Sequence, residues 1–195
     1  MKIIEHHYPQ FFTATCLKWH WLLEQDSYKD IIIEDLRWLV NHGWIKLYAF
    51  VLMPNHFHYI WDNHPSLNYT KVKGGHLRNT AQKLKHNLIL NREETLLEKF
   101  YVGAKDRAYQ FWERNPKSID LYTPKIIYQK LDYIHANPVQ EKWNLCKEPN
   151  DYIYSSAEFY ETGIDRFGLL THIGEIGVWD KKPIKVQSKY FSMED

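Results

Sequence analysis

The stretch Leu52-Met53-Pro54-Asn55-His56-Phe57-His58-Tyr59-Ile60 reads as the end of one strand, a turn, and the start of the next. Proline cannot donate to a hydrogen-bonded ladder and asparagine accepts turn geometry. Pro54-Asn55 thus divides two apolar runs, Trp44 to Leu52 and His56 to Trp61, into the arms of a hairpin. Side chains alternate faces along a strand, which sends residues i and i+2 the same way. His56 and His58 therefore project together and can grip one cation.

Working outward, Phe11 to Trp19 reads as a first strand, rich in Phe, Thr and Trp. Asp26-Ser27 then caps a helix whose apolar face is Ile31, Ile32, Leu36, Leu39 and Val40, stopped at Asn41-His42-Gly43. Beyond the hairpin, a polar loop holding Pro65 and Asn68 runs to Gly74-Gly75. A basic amphipathic helix, His76 to Leu90, follows with Leu77, Leu84, Leu88 and Ile89 at helical spacing. Glu93 to Asp106 reads as a short helix and a loop, and Tyr109 to Trp112 and Ser118 to Tyr122 as short strands about the Asn115-Pro116 turn. Thr123-Pro124 opens another helix, which runs through Tyr133 and stops near Asn137 because Pro138 follows. A short helix, Ala157 to Tyr160, comes after Tyr152-Ile153-Tyr154-Ser155-Ser156.

The order strand, helix, strand, strand, helix, strand is that of a ferredoxin-like split βαβ. The expected class is α+β, with a four-stranded (or five-stranded) antiparallel sheet and helices packed on one face. A chain of 195 residues and 23.6 kDa can bury a core as one domain, here 1–195 with a core over about 11–160 and a tail over 161–195. Its end, Lys182 to Asp195, is expected to be loosely attached.

Cys16 and Cys146 are far apart with no C-x-x-C, which favours reduced thiols over a disulfide or a metal role. No signal peptide or membrane-length apolar run is present, so a cytoplasmic protein with no membrane partner is expected. The net charge of +1 conceals a gradient: residues 71–130 hold 13 Lys or Arg against 6 Asp or Glu, a net +7, and the rest of the chain sums to −6. A basic centre suits an anionic strand, although solvated helix faces also account for it. Eight Trp offer rings for base stacking as well as for the core.

Two imidazoles on one strand face are good ligands for a divalent first-row metal and leave coordination positions open. On the helix before Pro138, Tyr133 and Asn137 are four apart and share a face. The amide oxygen of Asn137 is a harder donor and shifts the balance toward Mg²⁺ or Mn²⁺. Zinc with His135 as a further ligand is the competing arrangement. A phenol with a pKa of about 10 is a poor nucleophile unaided, yet beside a metal that polarises a phosphate Tyr133 can attack it. Tyr133 as a half-buried packing residue is the plain alternative.

Three blocks carry a more specific signal: Leu52-Met53-Pro54-Asn55-His56-Phe57-His58, Tyr133-Ile134-His135-Ala136-Asn137-Pro138-Val139, and Asp151-Tyr152 with Ser155-Ser156. In this order and at these separations the chain, over roughly Phe11 to Tyr160, resembles the REP-associated tyrosine transposases of the single-tyrosine HUH transposase superfamily (insertion sequence 200-like). The resemblance implies metal ligands at His56, His58 and Asn137 and a nucleophile at Tyr133. It implies a metal-dependent single-strand DNA endonuclease and strand transferase that cuts hairpin-containing DNA through a 5′-phosphotyrosine. Arg78, Lys83 and Lys85 on the basic helix, and Lys105, Arg107 and Arg114 in loops, become candidate DNA contacts. Such relatives act as monomers or homodimers. The other reading of the same fold is a non-catalytic module that binds structured single strands.

Overall fold

The structure is a computed structural model that describes residues 8–176. His6-His7 and the Lys182 to Asp195 end lie outside the described residues. The expected hairpin is present: β2 (Ile45–Met53) and β3 (His56–Asn63) pair antiparallel across the two-residue Pro54-Asn55 turn. β1 (Gln10–Thr15) pairs with the other edge of β3, and β6 (Lys117–Asp120) pairs with β1. The sheet order β2-β3-β1-β6, with α1 (Asp26–Asn41) between β1 and β2 and α2 (Tyr69–Leu90) after β3, is the split βαβ arrangement.

The alternation of β3 decides where the two cores lie. Phe57, Tyr59 and Trp61 face α1 and α2, in a cluster with Phe12, Leu36, Leu84 and Leu88. Ile60 faces the other way, toward Phe11, Val51, Met53 and the Ile127, Leu131 and Ile134 stripe of α4 (Pro124–Ala136). Helices on one face therefore describe α1 and α2 only, and α4 covers the opposite face. The reason lies in the chain itself: β3 and β2 are apolar on both sides, so a single helix layer would leave one face wet. An extra residue, Tyr48, bulges β2 between Leu47 and Ala49 and puts its ring into the α4-side core.

Several element limits differ from the sequence expectation. β1 ends at Thr15 because Lys18 and Trp19 take left-handed φ values of 51° and 59°, which no strand tolerates. α2 begins at Tyr69, not His76: the Asn68 side chain accepts the Lys71 N–H at 3.0 Å, and this cap carries the helix through Gly74-Gly75. The loop expected before Asp106 contains a strand. α3 (Glu94–Glu98) is followed by β4 (Tyr101–Ala104), which pairs with β5 (Arg107–Tyr109) as a separate hairpin. Trp112 is left with one isolated bridge to Cys16.

Among the described residues no regular fifth strand joins this sheet, but the free edge of β2 is covered. Leu52 N–H donates to Tyr154 O and Ser156 N–H to Phe50 O, both at 2.9 Å. Ser155 bridges Val51, and Thr171 N–H reaches Leu47 O farther along. These contacts satisfy an edge that would otherwise be a pairing hazard. α5 (Ala157–Thr162) then packs Tyr160 into the α4-side core and ends at Gly163, whose φ of 79° suits a residue without Cβ. Among the described residues, no helix is long and apolar enough to cross a membrane.

Candidate active site

β3 has a hydrogen-bonded neighbour on each side, which makes it a rigid carrier for side chains. His56 and His58 stand on its α4-facing side with ring centroids 4.8 Å apart. α4 crosses that face and lays the Tyr133 ring 5.2 Å from the His58 ring, edge-on at 67°. Phe11 supports both, stacked on His58 at 5.1 Å and meeting Tyr133 at 5.9 Å. Helical phase explains the arrangement: Ile127, Leu131 and Ile134 point into the core, which turns Tyr133 to the rim, where it is 41% exposed. The histidine pair and the tyrosine, 75 residues apart in sequence from His58 to Tyr133, share one cleft of about 530 Å³.

Each imidazole is oriented by a partner on Nδ1. His56 Nδ1 lies 2.8 Å from Asn55 Oδ1, and the Asn55 amide nitrogen is committed to Trp19 O at 3.2 Å. An amide oxygen only accepts, so Nδ1 of His56 is the donor and its Nε2 carries the lone pair. His58 Nδ1 lies 2.7 Å from the Thr13 hydroxyl, its direct cross-strand neighbour. Its Nε2 is buried and finds no hydrogen-bond partner among the described residues. A buried orphan nitrogen costs about 1–3 kcal/mol, a penalty that a ligand at this position would relieve.

Burial pushes the His56 pKa down to about 4, with the Lys142 charge adding to it. Burial likewise holds His58 well below the ordinary histidine range, reinforced by His56, Lys130 and Lys142. Both rings are thus neutral at pH 7, the form in which imidazole binds a metal. Two lone-pair nitrogens with fixed outer partners fit a divalent cation. Among the described residues, no group of three or more His, Cys, Asp or Glu forms such a site, so further ligands come from an amide, solvent or substrate.

Asn137 is buried one turn beyond Tyr133, and its amide nitrogen donates to the Tyr133 carbonyl at 3.1 Å. It is not among the residues lining the cleft. His135, the alternative zinc ligand, is buried away with Nε2 2.9 Å from Ser156 Oγ, and Ser156 is itself bonded to Phe50 of β2. The Ser155-Ser156 block is therefore structural, tying α4 and α5 to the β2 edge. Cys16 is fully buried and burial raises its thiol pKa, as expected of an inert residue.

Of the six basic residues singled out in the sequence, Arg114 lines the cleft. Arg78, Lys83 and Lys85 ride on α2, on the opposite side of the sheet. Lys83 lies 3.5 Å from Asp35 and Lys85 lies over the Tyr109 ring. Lys105 and Arg107 belong to the β4-β5 hairpin, where Arg107 pairs with Asp106 at 2.5 Å. The rim cations that sequence reading missed are Lys117, Lys130 and Lys142. Lys130 Nζ sits 4.8 Å over Phe11 and 5.6 Å from the Tyr133 ring. One signal was in the chain: Lys130 precedes Tyr133 by three residues, a same-face helical spacing. Against these four cations the described cleft lining has one carboxylate, Glu113, which accepts the Lys18 N–H at 2.6 Å.

No family model matches the chain, and no curated protein matches it. Solved structures do. A REP-associated tyrosine transposase bound to a REP hairpin superposes with a TM-score of 0.57 at 16% identity, over 91% of this chain and 94% of that one. A provisionally assigned transposase from Deinococcus radiodurans R1 aligns at a TM-score of 0.42 and 16% identity, over 69% of this chain and 95% of that one. The first likeness shows that the α+β fold, with its four-stranded antiparallel sheet, is shared with a transposase.

Proposed function

We propose that the protein is a metal-dependent single-strand DNA endonuclease and strand transferase, with Tyr133 as nucleophile. The observation that carries this reading is the Tyr133 ring at the rim of an open, cation-lined cleft, 5.2 Å from the ring of a histidine whose Nε2 is unpaired. The shared fold supports it, since the solved transposase is bound to a REP hairpin.

His56 Nε2 and His58 Nε2 would hold Mg²⁺ or Mn²⁺, with solvent and phosphate oxygens completing the shell, and Asn137, which lies outside the cleft lining, would join them only if its carboxamide turned toward the ion. Such an ion supplies Lewis-acid stabilisation of charge on the scissile phosphate. Arg114, Lys117, Lys130 and Lys142 attract the strand and neutralise its phosphates at the cleft mouth. The Tyr133 phenol oxygen bonds to phosphorus as the bond to the 3′-oxygen breaks, and the phenol proton ends on that departing oxygen. The products are a 5′-phosphotyrosyl end and a free 3′-OH. Attack by another 3′-OH reverses the step, restores the phenol and joins strands without ATP. Tyr133 and the histidine pair meet within one chain, so cleavage needs no exchange of helices between subunits.

A hairpin oligonucleotide with a suicide nick tests this. Wild-type protein with Mg²⁺ or Mn²⁺ should form a covalent adduct that is absent with Tyr133→Phe. Hairpin affinity with a steep salt dependence, but without an adduct, would favour the binding-module reading instead.

A further inference from the structure

Three indoles crowd the His56 end of the cleft. Trp19 meets the His56 ring at 6.0 Å and Trp143 meets it at 5.5 Å, while Trp21 lies 6.0 Å from Trp143. Trp19 is 58% exposed and Trp21 52%, so two large rings stand in water beside a polar site. An exposed tryptophan needs no explanation alone, but the backbone beneath Trp19 does. Lys18 and Trp19 both occupy the left-handed region, at φ 51° and 59°, where side chains as bulky as tryptophan are outliers. The conformation is latched from two sides. Glu113 accepts the Lys18 N–H at 2.6 Å, and Asn55 donates to Trp19 O at 3.2 Å while its oxygen orients His56. The same amide thus sets both the metal-facing imidazole and the neighbouring indole.

A second, independent observation comes from Trp143. Its Nε1 is buried and has no hydrogen-bond partner among the described residues, although the ring borders the open cleft. An indole N–H can only donate, so the group it awaits is an acceptor oxygen or nitrogen. Lys142 Nζ lies 5.4 Å over this ring, and Lys130 and Arg114 complete a cationic border. Flat aromatic faces, a waiting donor and positive charge together suit a nucleobase on a phosphate strand better than an apolar peptide.

We infer that Trp19 and Trp143 form a stacking site for an unpaired base next to the phosphate that Tyr133 attacks, with Trp143 Nε1 donating to that nucleotide. The site rests on the nuclease reading and deepens it: a base held in a duplex cannot present its face to an indole, so the pair selects for a single strand at the cut. Stacking tolerates any base, so discrimination at this position is weak.

Abasic substitution at each single-stranded position of the hairpin oligonucleotide, measured by binding to the Tyr133→Phe protein, is the test. Removing the base beside the scissile phosphate should weaken binding by roughly 5- to 100-fold, the range for one base stacked on an aromatic ring. Trp19→Ala should cost the same with the intact strand and nothing further with the abasic one, and Trp19→Phe should restore most of the loss. Trp143→Phe should keep the stacking and lose the donated bond, a smaller effect. Equal sensitivity to abasic sites in wild-type and Trp19→Ala proteins would overturn the inference while leaving cleavage intact. Absence of both hairpin binding and adduct in the wild type would overturn the nuclease reading and this site with it.

Discussion

Buried histidine lies on both sides of β3, supplied by α2 on one side and by β3 itself on the other, and the two sides use it in opposite ways. On the α1 and α2 side, His76 reaches the Asp35 carboxylate through Nδ1 at 2.6 Å and the Tyr59 hydroxyl through Nε2 at 3.4 Å. Asn79 also bonds Asp35, and Lys83 stands 3.5 Å away. Both ring nitrogens are engaged and the side chain is fully buried. On the α4 side, His58 is as deeply buried, at 5% exposure, but one nitrogen is unpaired and a cleft leads to it. Burial is common to both, so burial does not mark a site. The unpaired nitrogen, the opening and the cationic rim do. The difference teaches that a closed polar network holds the fold together, whereas an open one holds a place for something else.

The same exchange at both positions gives the sharpest contrast. His58→Phe keeps a ring against Phe11 and Tyr133, so stability should stay within about 1 kcal/mol, while adduct formation falls by about 10³-fold or more. His76→Phe should do the reverse. It strips the Asp35 carboxylate of its main partner in the core, a change that costs about 3–5 kcal/mol, with activity kept by the folded fraction. Urea unfolding and adduct yield, measured on both variants, would break the comparison if the effects coincide.

Acid should act on the α4 side first. Burial lowers the His56 pKa to about 4 and that of His135 to about 3, so the unfolded chain binds protons near pH 6.5 before the folded one does. The stability contributed by these histidines should then fall by a few kcal/mol as pH drops from 6.5 toward about 3. Burial would raise the Asp35 carboxyl, but the His76 hydrogen bond and charge hold it below the ordinary value of 3.8. Its contribution persists above that value and is lost only at more acidic pH. Melting temperatures across pH 7.5 to 4 check this, and His56→Phe should flatten part of the slope.

The smallest expected effect is at Thr13, which orients His58 without touching the cleft chemistry itself. Thr13→Val keeps the shape and removes the 2.7 Å bond, which should weaken Mn²⁺ binding by about 10- to 100-fold with little change in fold stability. Isothermal titration with Mn²⁺ reads it directly. An unchanged affinity would mean that packing against Phe11, not the hydroxyl, sets the ring.

Much of this arrangement follows from local chemistry. The Pro54-Asn55 turn, the i, i+2 histidines and the Thr123-Pro124 cap are punctuation and period, and each acts within a few residues of itself. So the hairpin, α4 and the common orientation of His56 and His58 were legible before any coordinates. The α2 start was not, because two glycines look like a loop until the Asn68 cap and the packing of Val72 against the core outweigh their low propensity. The β4-β5 hairpin was missed because its four- and three-residue strands bury almost nothing and leave no alternation to read.

Which side of the sheet α4 would choose depended on distant residues. The apolar α4-facing side of β2 and β3 must be covered by something, and period alone cannot say by which helix. Only the assembled layers bring Tyr133 to His58, gather Lys117, Lys130 and Lys142 around them, and send Arg78, Lys83 and Lys85 to the far side. Charge is distributed along a chain, but a site is distributed in space. The residue types and their faces were written locally, and their meeting was decided by which apolar surfaces had to leave water together.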